Sequence, residues 1–253
     1  MRAGIAILVA LAACGRIGFD DAVGPGGPCV PVGHDEDGDG IDDACDGCPH
    51  IADVEQRDGD GDGVDDVCDP NPAVRGESIA FFDPFTQPSG EWVEDDGEYV
   101  GDAILLGDQG VFEEMRLGTP PATDTYAFRA HIEDAMTGTF HYVTLTFYGP
   151  SPTLYYCELT DFGTNTKFGL THTFDGAMYL TPVGTGSPAA LTVGETIDLQ
   201  FRHAPPMQSC ATSWPVTLNP LVDVIPPIVA DSLALSVADM RLRIDYFVQI
   251  HTE

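Results

Sequence analysis

The sequence predicts an all-β protein, an antiparallel β-sandwich preceded by irregular acidic repeats. Three observations predict it. Apolar and polar residues alternate with period 2 in several segments after residue 77, most clearly from Met240 to Ile250. Gly and Pro, 28 and 20 residues of 253, punctuate the intervals between those segments. No helical periodicity of useful length occurs, and 43% hydrophobic residues are enough for one substantial core.

Taken in order, the chain opens with one basic residue, Arg2, then a short apolar run and small residues up to Cys14. That is the pattern of a secretory signal over 1–13, and the run is shorter than the roughly 20 apolar residues that span a bilayer. Its end, Leu11-Ala12-Ala13-Cys14, resembles the lipobox of bacterial lipoproteins. The resemblance implies cleavage before Cys14 and acylation of that residue, anchoring the chain in the cell envelope. Several acyl chains on one residue hold stably where one would be marginal. Gly15, standing where an Asp would favour the inner membrane, implies the outer membrane or cell surface. Residues 14–33, which include Gly24-Pro25-Gly26-Gly27-Pro28, are expected to form a Gly/Pro-rich tether. Without Cys14, six cysteines remain: Cys29, Cys45, Cys48, Cys68, Cys157 and Cys210. An even number suits pairing in an oxidising compartment.

The formal charge is −31, from 41 acidic and 10 basic residues. A polyanion of this strength is repelled by phosphate backbones, which argues against nucleic acid as a partner. Between Asp35 and Asp69 stand 15 acidic residues and one Arg, net −14, so the acidity is local. The segment Asp35–Asp46 recurs as Asp58–Asp69 at an offset of 23 residues. Carboxylates fall at positions 1, 3 and 5, Gly at position 6, a backbone carbonyl at 7 and a carboxylate at 12. This spacing wraps a calcium ion, which takes six to eight oxygen ligands. The expected ligands are Asp35, Asp37, Asp39, Ile41 and Asp46 in the first loop, and Asp58, Asp60, Asp62, Val64 and Asp69 in the second. Asp42, Asp43, Asp65 and Asp66 are expected to complete these sites or build further ones. An EF-hand is rejected because Gly24–Pro28 and Pro70-Asn71-Pro72 break the flanking helices that motif needs.

Cys48-Pro49, Asp53, Gln56, the Asp-rich loop and Cys68-Asp69 together resemble thrombospondin type 3 repeats over about residues 29–70. In that family an Asn is usual where Asp53 stands. The resemblance implies irregular chain wrapped around calcium ions, with disulfides Cys29–Cys45 and Cys48–Cys68. The repeat region is placed at 34–70. With so few apolar residues there, metal binding is expected to drive its folding, at an affinity on the order of 10⁻⁴ to 10⁻³ M.

The sandwich is placed at 77–253. Met240, Leu242, Ile244, Tyr246, Val248 and Ile250 are expected on one face of the last strand, with Arg241, Arg243, Asp245, Phe247 and Gln249 on the other. Tyr126-Phe128-Ala130-Ile132, Val143-Leu145-Phe147, Leu154-Tyr156 and Ile197-Leu199-Phe201 alternate in the same way. With Phe81-Phe82-Asp83-Pro84-Phe85, Glu91-Trp92 and Gly97–Val100, this order resembles the concanavalin-like lectin/glucanase (LamG-like) jelly roll. The resemblance implies a last strand lying beside the first.

The Glu-x-Asp-x-x-Glu strand of jelly-roll glucanases is absent, and Glu158 with Asp161 imitates it at the wrong spacing. No Gly-x-Ser-x-Gly or His-Glu-x-x-His run occurs. The seven histidines read as surface residues, Cys157 with Cys210 as a disulfide, and Trp92, Trp214, Tyr148 and Tyr155 as core residues before sugar platforms. The expectation is a lipid-anchored, calcium-binding surface protein that is not an enzyme. Its calcium-stiffened rod would display a sandwich serving adhesion through a glycan or surface protein. A structural envelope lipoprotein and a polysaccharide-active enzyme are the alternatives.

Overall fold

The computed structural model describes residues 29–253 apart from 109, 119–122, 136–139, 151–152, 162–165, 175–176, 181–183, 188–189, 214–220 and 225–229. The expected signal segment 1–13, Cys14 and Trp214 lie outside the described residues.

Residues 29–76 hold one short 3-10 turn, Asp43–Cys45, and no strand among the described residues. From Glu77 onward the chain builds two antiparallel sheets. One runs β14 (Leu221–Val224), β13 (Met207–Thr212), β12 (Thr196–Ala204), β6 (Asp124–Ala135), β16 (Met240–Thr252), β4 (Ile104–Leu106) and β3 (Glu98–Tyr99), with β1 (Glu77–Asp83) beside β16. The other runs β10 (Ala177–Leu180), β9 (Thr166–Phe174), β8 (Leu154–Asp161), β7 (His141–Tyr148), β15 (Ser232–Ala238), β5 (Phe112–Leu117) and β2 (Trp92–Asp95), with β11 (Gly184–Ser187) beside β9. The alternating segments of the sequence become β6, β7, β8, β12 and β16. The last strand pairs with the first, Ile79 opposite Ile250.

Inward-facing residues of both sheets, among them Phe128, Phe147, Phe201, Leu235 and Phe247, form one closed core. Cys157 on β8 and Cys210 on β13 cross-link the two sheets, with Cα atoms 5.5 Å apart. Trp92 belongs to this core, its indole N–H donating to Asp83 at 2.8 Å and its ring edge-on to Phe247 at 5.1 Å.

Three expectations about side-chain direction are corrected. In β16 the pairing with β6 slips between Ile244 and Tyr246, leaving Asp245 as an extra residue. Such a bulge moves everything after it to the opposite face. Met240, Leu242, Ile244 and Phe247 therefore point into the main core, while Tyr246, Val248 and Ile250 point out of the sandwich. In β8 the residues facing the core are Tyr155, Cys157 and Leu159, not Leu154 and Tyr156. Among the histidines His50, His141 and His203 are buried, at 5%, 3% and 1% exposure, so the surface reading fails for these three.

The outward-turned residues of β16 have a use. With Ile79 and Phe82 of β1 they make a second apolar cluster, which Val64, Ala44 and Cys68 of the acidic repeats cover. His50 packs its ring 5.3 Å from that of Tyr246. The repeats thus lie against the sandwich, where a free-standing rod was expected. Burying Val64 completely contributes roughly 1.5–3 kcal/mol to that docking.

Candidate metal centre and binding face

The two acidic loops fold alike, and their hydrogen bonds show why. Asp35 accepts from the amides of Gly38 and Gly40 at 2.9 and 3.0 Å; Asp58 accepts from Gly61 and Gly63 at 2.6 and 2.9 Å. The four glycines all have positive φ, from +77° to +102°, a conformation that side chains disfavour by about 1–2 kcal/mol. Asp39 and Asp62 accept from the amides of Ile41 and Val64 at 2.8 and 3.0 Å. The same two carboxylates reach fourteen residues onward, Asp39 to the amide of Asp53 at 2.9 Å and Asp62 to that of Gly76 at 3.1 Å. Asp43 and Asp66 brace the second position of each loop, through the amides of Glu36 and Gly59, both at 2.8 Å. Disulfides Cys29–Cys45 and Cys48–Cys68 close the region as the resemblance implied.

Two carboxylate groups converge. One oxygen each of Asp35, Asp37 and Asp39 lies within 4.8 Å of the others, and Asp60, Asp62, Asp69 and Glu77 form a second such group. The remaining expected carboxylate ligands, Asp42, Asp46, Asp58 and Asp65, lie outside both groups. Asp42 accepts from the amides of Val32 and Gly33 at 2.9 and 2.6 Å, and Asp46 from Cys48 at 2.7 Å and Gln56 Nε2 at 2.9 Å. Asp58 is held by its two glycine amides, and Asp65 is buried at 4% exposure. Glu77 escaped the sequence reading. It stands eight residues past the repeat at the head of β1, and no loop spacing signals it.

The electrostatics of the region are unresolved by protein groups. Burial pushes the carboxyls of Asp37 and Asp65 up to about 6 and raises those of Asp69 and Glu77, with neighbouring carboxylates adding to the effect. Asp37 Oδ2, both oxygens of Asp60, Asp69 Oδ2 and Glu77 Oε2 are buried without a hydrogen-bond partner. Buried carboxylates of this kind are stable only when paired or bound to a cation. The donor set, all carboxylate oxygen, suits a hard divalent ion such as calcium.

A second feature lies on the outward face of the β5–β15–β7–β8 sheet. Glu114 pairs across from Ser236, Ser236 from Thr144, and Thr144 from Glu158, so polar side chains form a row across four strands. Glu114 accepts from the hydroxyls of Tyr148 at 3.0 Å and Ser236 at 2.9 Å and is paired with Arg116, whose guanidinium stacks 4.5 Å over the Tyr148 ring. Glu114, Ser236, Thr144 and Thr146 are buried although they point away from the core. On the same face Phe112, half exposed at 52%, and Phe140 at 39% flank Tyr142, with ring centroids 6.2 and 5.4 Å from it. Of these residues only Tyr148 had been weighed for sugar contact from the sequence. The alternation of β5 and β7 was the signal for the rest.

Neither a protein-family model nor a curated protein matches the sequence. Solved structures do match. The CBM2 module of the evolved Dit of Lactobacillus casei BL23 phage J-1 is similar at 7% identity and TM-score 0.53, covering 69% of this chain and 96% of that one. A xylan beta-1,4-xylosidase from Bacillus halodurans C-125 is similar at 11% identity and TM-score 0.50, covering 73% of this chain and 41% of that one. The GH43 BlXynB protein from Bacillus licheniformis is similar at 9% identity and TM-score 0.50, with 67% and 39% covered. The sandwich is a jelly roll. This chain spans about two fifths of the length of the two enzymes it matches.

The expectation that the chain is not an enzyme is corrected by these likenesses, because solved proteins that share its fold include glycoside hydrolases. That expectation rested on a missing run of carboxylates along one strand.

Proposed function

We propose that this chain is a lipid-anchored envelope protein, held through Cys14, that binds calcium in its acidic loops and recognises a glycan on the outer face of the β5–β15–β7–β8 sheet of the jelly roll. The observation that carries the glycan reading is the combination on one face of exposed aromatic rings with a hydrogen-bonded Glu114–Arg116–Tyr148 group. Sugar recognition uses both, aromatic faces for the apolar side of the ring and planar polar groups for the hydroxyls. A xylan-active enzyme and a CBM2 module among the proteins of similar fold favour a polysaccharide as that ligand. The calcium reading is supported by the repeated loop geometry and by the buried carboxylate oxygens that nothing in the protein answers.

The test is a glycan array and then calorimetry with the full chain, oxidised and solubilised in detergent, with and without millimolar calcium. Saturable glycan binding is expected, weakened at least about tenfold, or 1.4 kcal/mol, by Tyr148→Ala or Arg116→Ala. Equal binding by these variants would move the ligand off this face. Reducing ends released from the same glycans report hydrolysis in the same samples.

A further inference from the structure

The second carboxylate group differs from the first in one respect. Asp60, Asp62 and Asp69 belong to the acidic repeat, whereas Glu77 is the opening residue of β1 and pairs with Thr252 of β16. Glu77 is only 3% exposed. Its Oε1 accepts from Asn71 Nδ2 at 2.5 Å, while Oε2 has no partner. The amides of Gly76 and Glu77 donate to Asp62 Oδ2 at 3.1 and 2.7 Å, which draws the head of β1 against the repeat. One nearby base, Arg75, offsets only part of the charge of the four carboxylates. The guanidinium of Arg75 donates to the backbone carbonyl of Asp60, at 3.2 and 3.0 Å.

Four carboxylates brought together this way repel one another, and two of them, Asp69 and Glu77, keep a buried oxygen unpaired while Asp60 keeps two. Nothing apolar is gained by placing a glutamate there. These oxygens lie within 4.8 Å of one another, close enough for one calcium ion with ligands at about 2.4 Å to reach them all.

We propose that a calcium ion held by Asp60, Asp62, Asp69 and Glu77 clamps the second repeat to the first strand of the jelly roll. The inference rests on the calcium reading above and goes beyond it by assigning a ligand from the sandwich itself. Calcium then acts on the sandwich as well as on the repeat. Its binding fixes the head of β1, which pairs along the C-terminal half of β16, and keeps Val64 seated on the outer cluster formed by those two strands.

The experiment is calcium titration by calorimetry together with thermal melting of the oxidised full chain, for wild type, Glu77→Gln, Asp60→Asn and the double variant. Near-ultraviolet circular dichroism of the core aromatics reports the sandwich melt. Wild type is expected to bind at least two calcium ions and to gain about 5–10 °C in sandwich melting temperature when calcium exceeds Kd a hundredfold. Glu77→Gln is expected to lose one ion, or weaken it at least about tenfold, and to lose most of that gain. The first loop should titrate as before. Asp60→Asn should do the same, and the two losses should not add, as for groups sharing one ion. If wild type binds calcium but Glu77→Gln keeps the same stoichiometry, affinity and melting shift, the clamp is wrong and the loop sites stand. If wild type binds no calcium at millimolar concentration, the calcium reading itself fails. Should Glu77→Gln not fold, Asp60→Asn alone decides. An unchanged calcium-dependent melting shift in that variant overturns the clamp.

Discussion

At the scale of single residues, the protein spends much of its polar chemistry on buried groups. His203 on β12 is 1% exposed, stacks 4.5 Å from the ring of Phe147, and has neither ring nitrogen hydrogen-bonded. Burial pushes its pKa down from the ordinary 6.5 to about 4. Unfolded chain takes up a proton near pH 6.5 and folded chain only near pH 4. The stability this neutral histidine permits is therefore complete above pH 6.5 and is lost as the pH falls towards 4. His203→Leu is expected to lose about 2–3 kcal/mol less stability than wild type between pH 7 and pH 4.5, measured by urea unfolding at both values. Identical losses would mean that His203 does not titrate in this window. The loop glycines make a different residue-scale point. Their positions were legible as turn formers at Gly40 and Gly63, whereas the positive φ of Gly38 and Gly61 emerged only with the folded loops.

At the scale of elements, the alternation of apolar residues located β6, β7, β8, β12 and β16 and gave the inward faces of β6, β7 and β12, but misplaced those of β8 and of the second half of β16. Period 2 fails wherever one residue is inserted, and Asp245 is such an insertion. It lets one strand serve two cores, the first half facing the sandwich interior and the second half offering Tyr246, Val248 and Ile250 to the repeats. Nothing local in Ile244-Asp245-Tyr246 announces the bulge, since its position depends on how β6 pairs. The Cys157–Cys210 bridge acts at this scale too, tying β8 of one sheet to β13 of the other across 53 residues of sequence. In the chain-entropy account a loop of that length contributes about 4 kcal/mol. Replacing both cysteines by serine is expected to lower the sandwich melting temperature by roughly 10 °C, measured by calorimetry. A shift within error would show that the reduced protein already keeps its sheets together.

For the whole molecule, the decisive feature is the seating of the acidic repeats on the outer face of the sheet formed by β1, β16 and β6. The segment looked too polar to pack, yet Val64 is wholly buried in the contact. Val64→Asp places an unpaired charge in that cluster, a change that commonly costs several kcal/mol. In chelator it is expected to release the repeats, so that trypsin cleaves after Arg57 within minutes, while the sandwich melt read from Trp92 and the core aromatics changes little. Resistance equal to wild type in the presence of chelator would mean that the repeats hold to the sandwich without Val64.

Sequence alone determined the strand content, the repeat and its period, the loop grammar that collects carboxylates, and the pairing of cysteines implied by family resemblance. These are local or periodic properties, written in neighbouring residues and in fixed offsets. The inward faces of β8 and of the second half of β16, the outward group of Glu114, Arg116 and Tyr148, and the arrival of Glu77 beside Asp60, Asp62 and Asp69 came only from the folded chain. Each depends on pairing between segments far apart in sequence. A single bulge inverts such a pairing, and no offset along the chain encodes it.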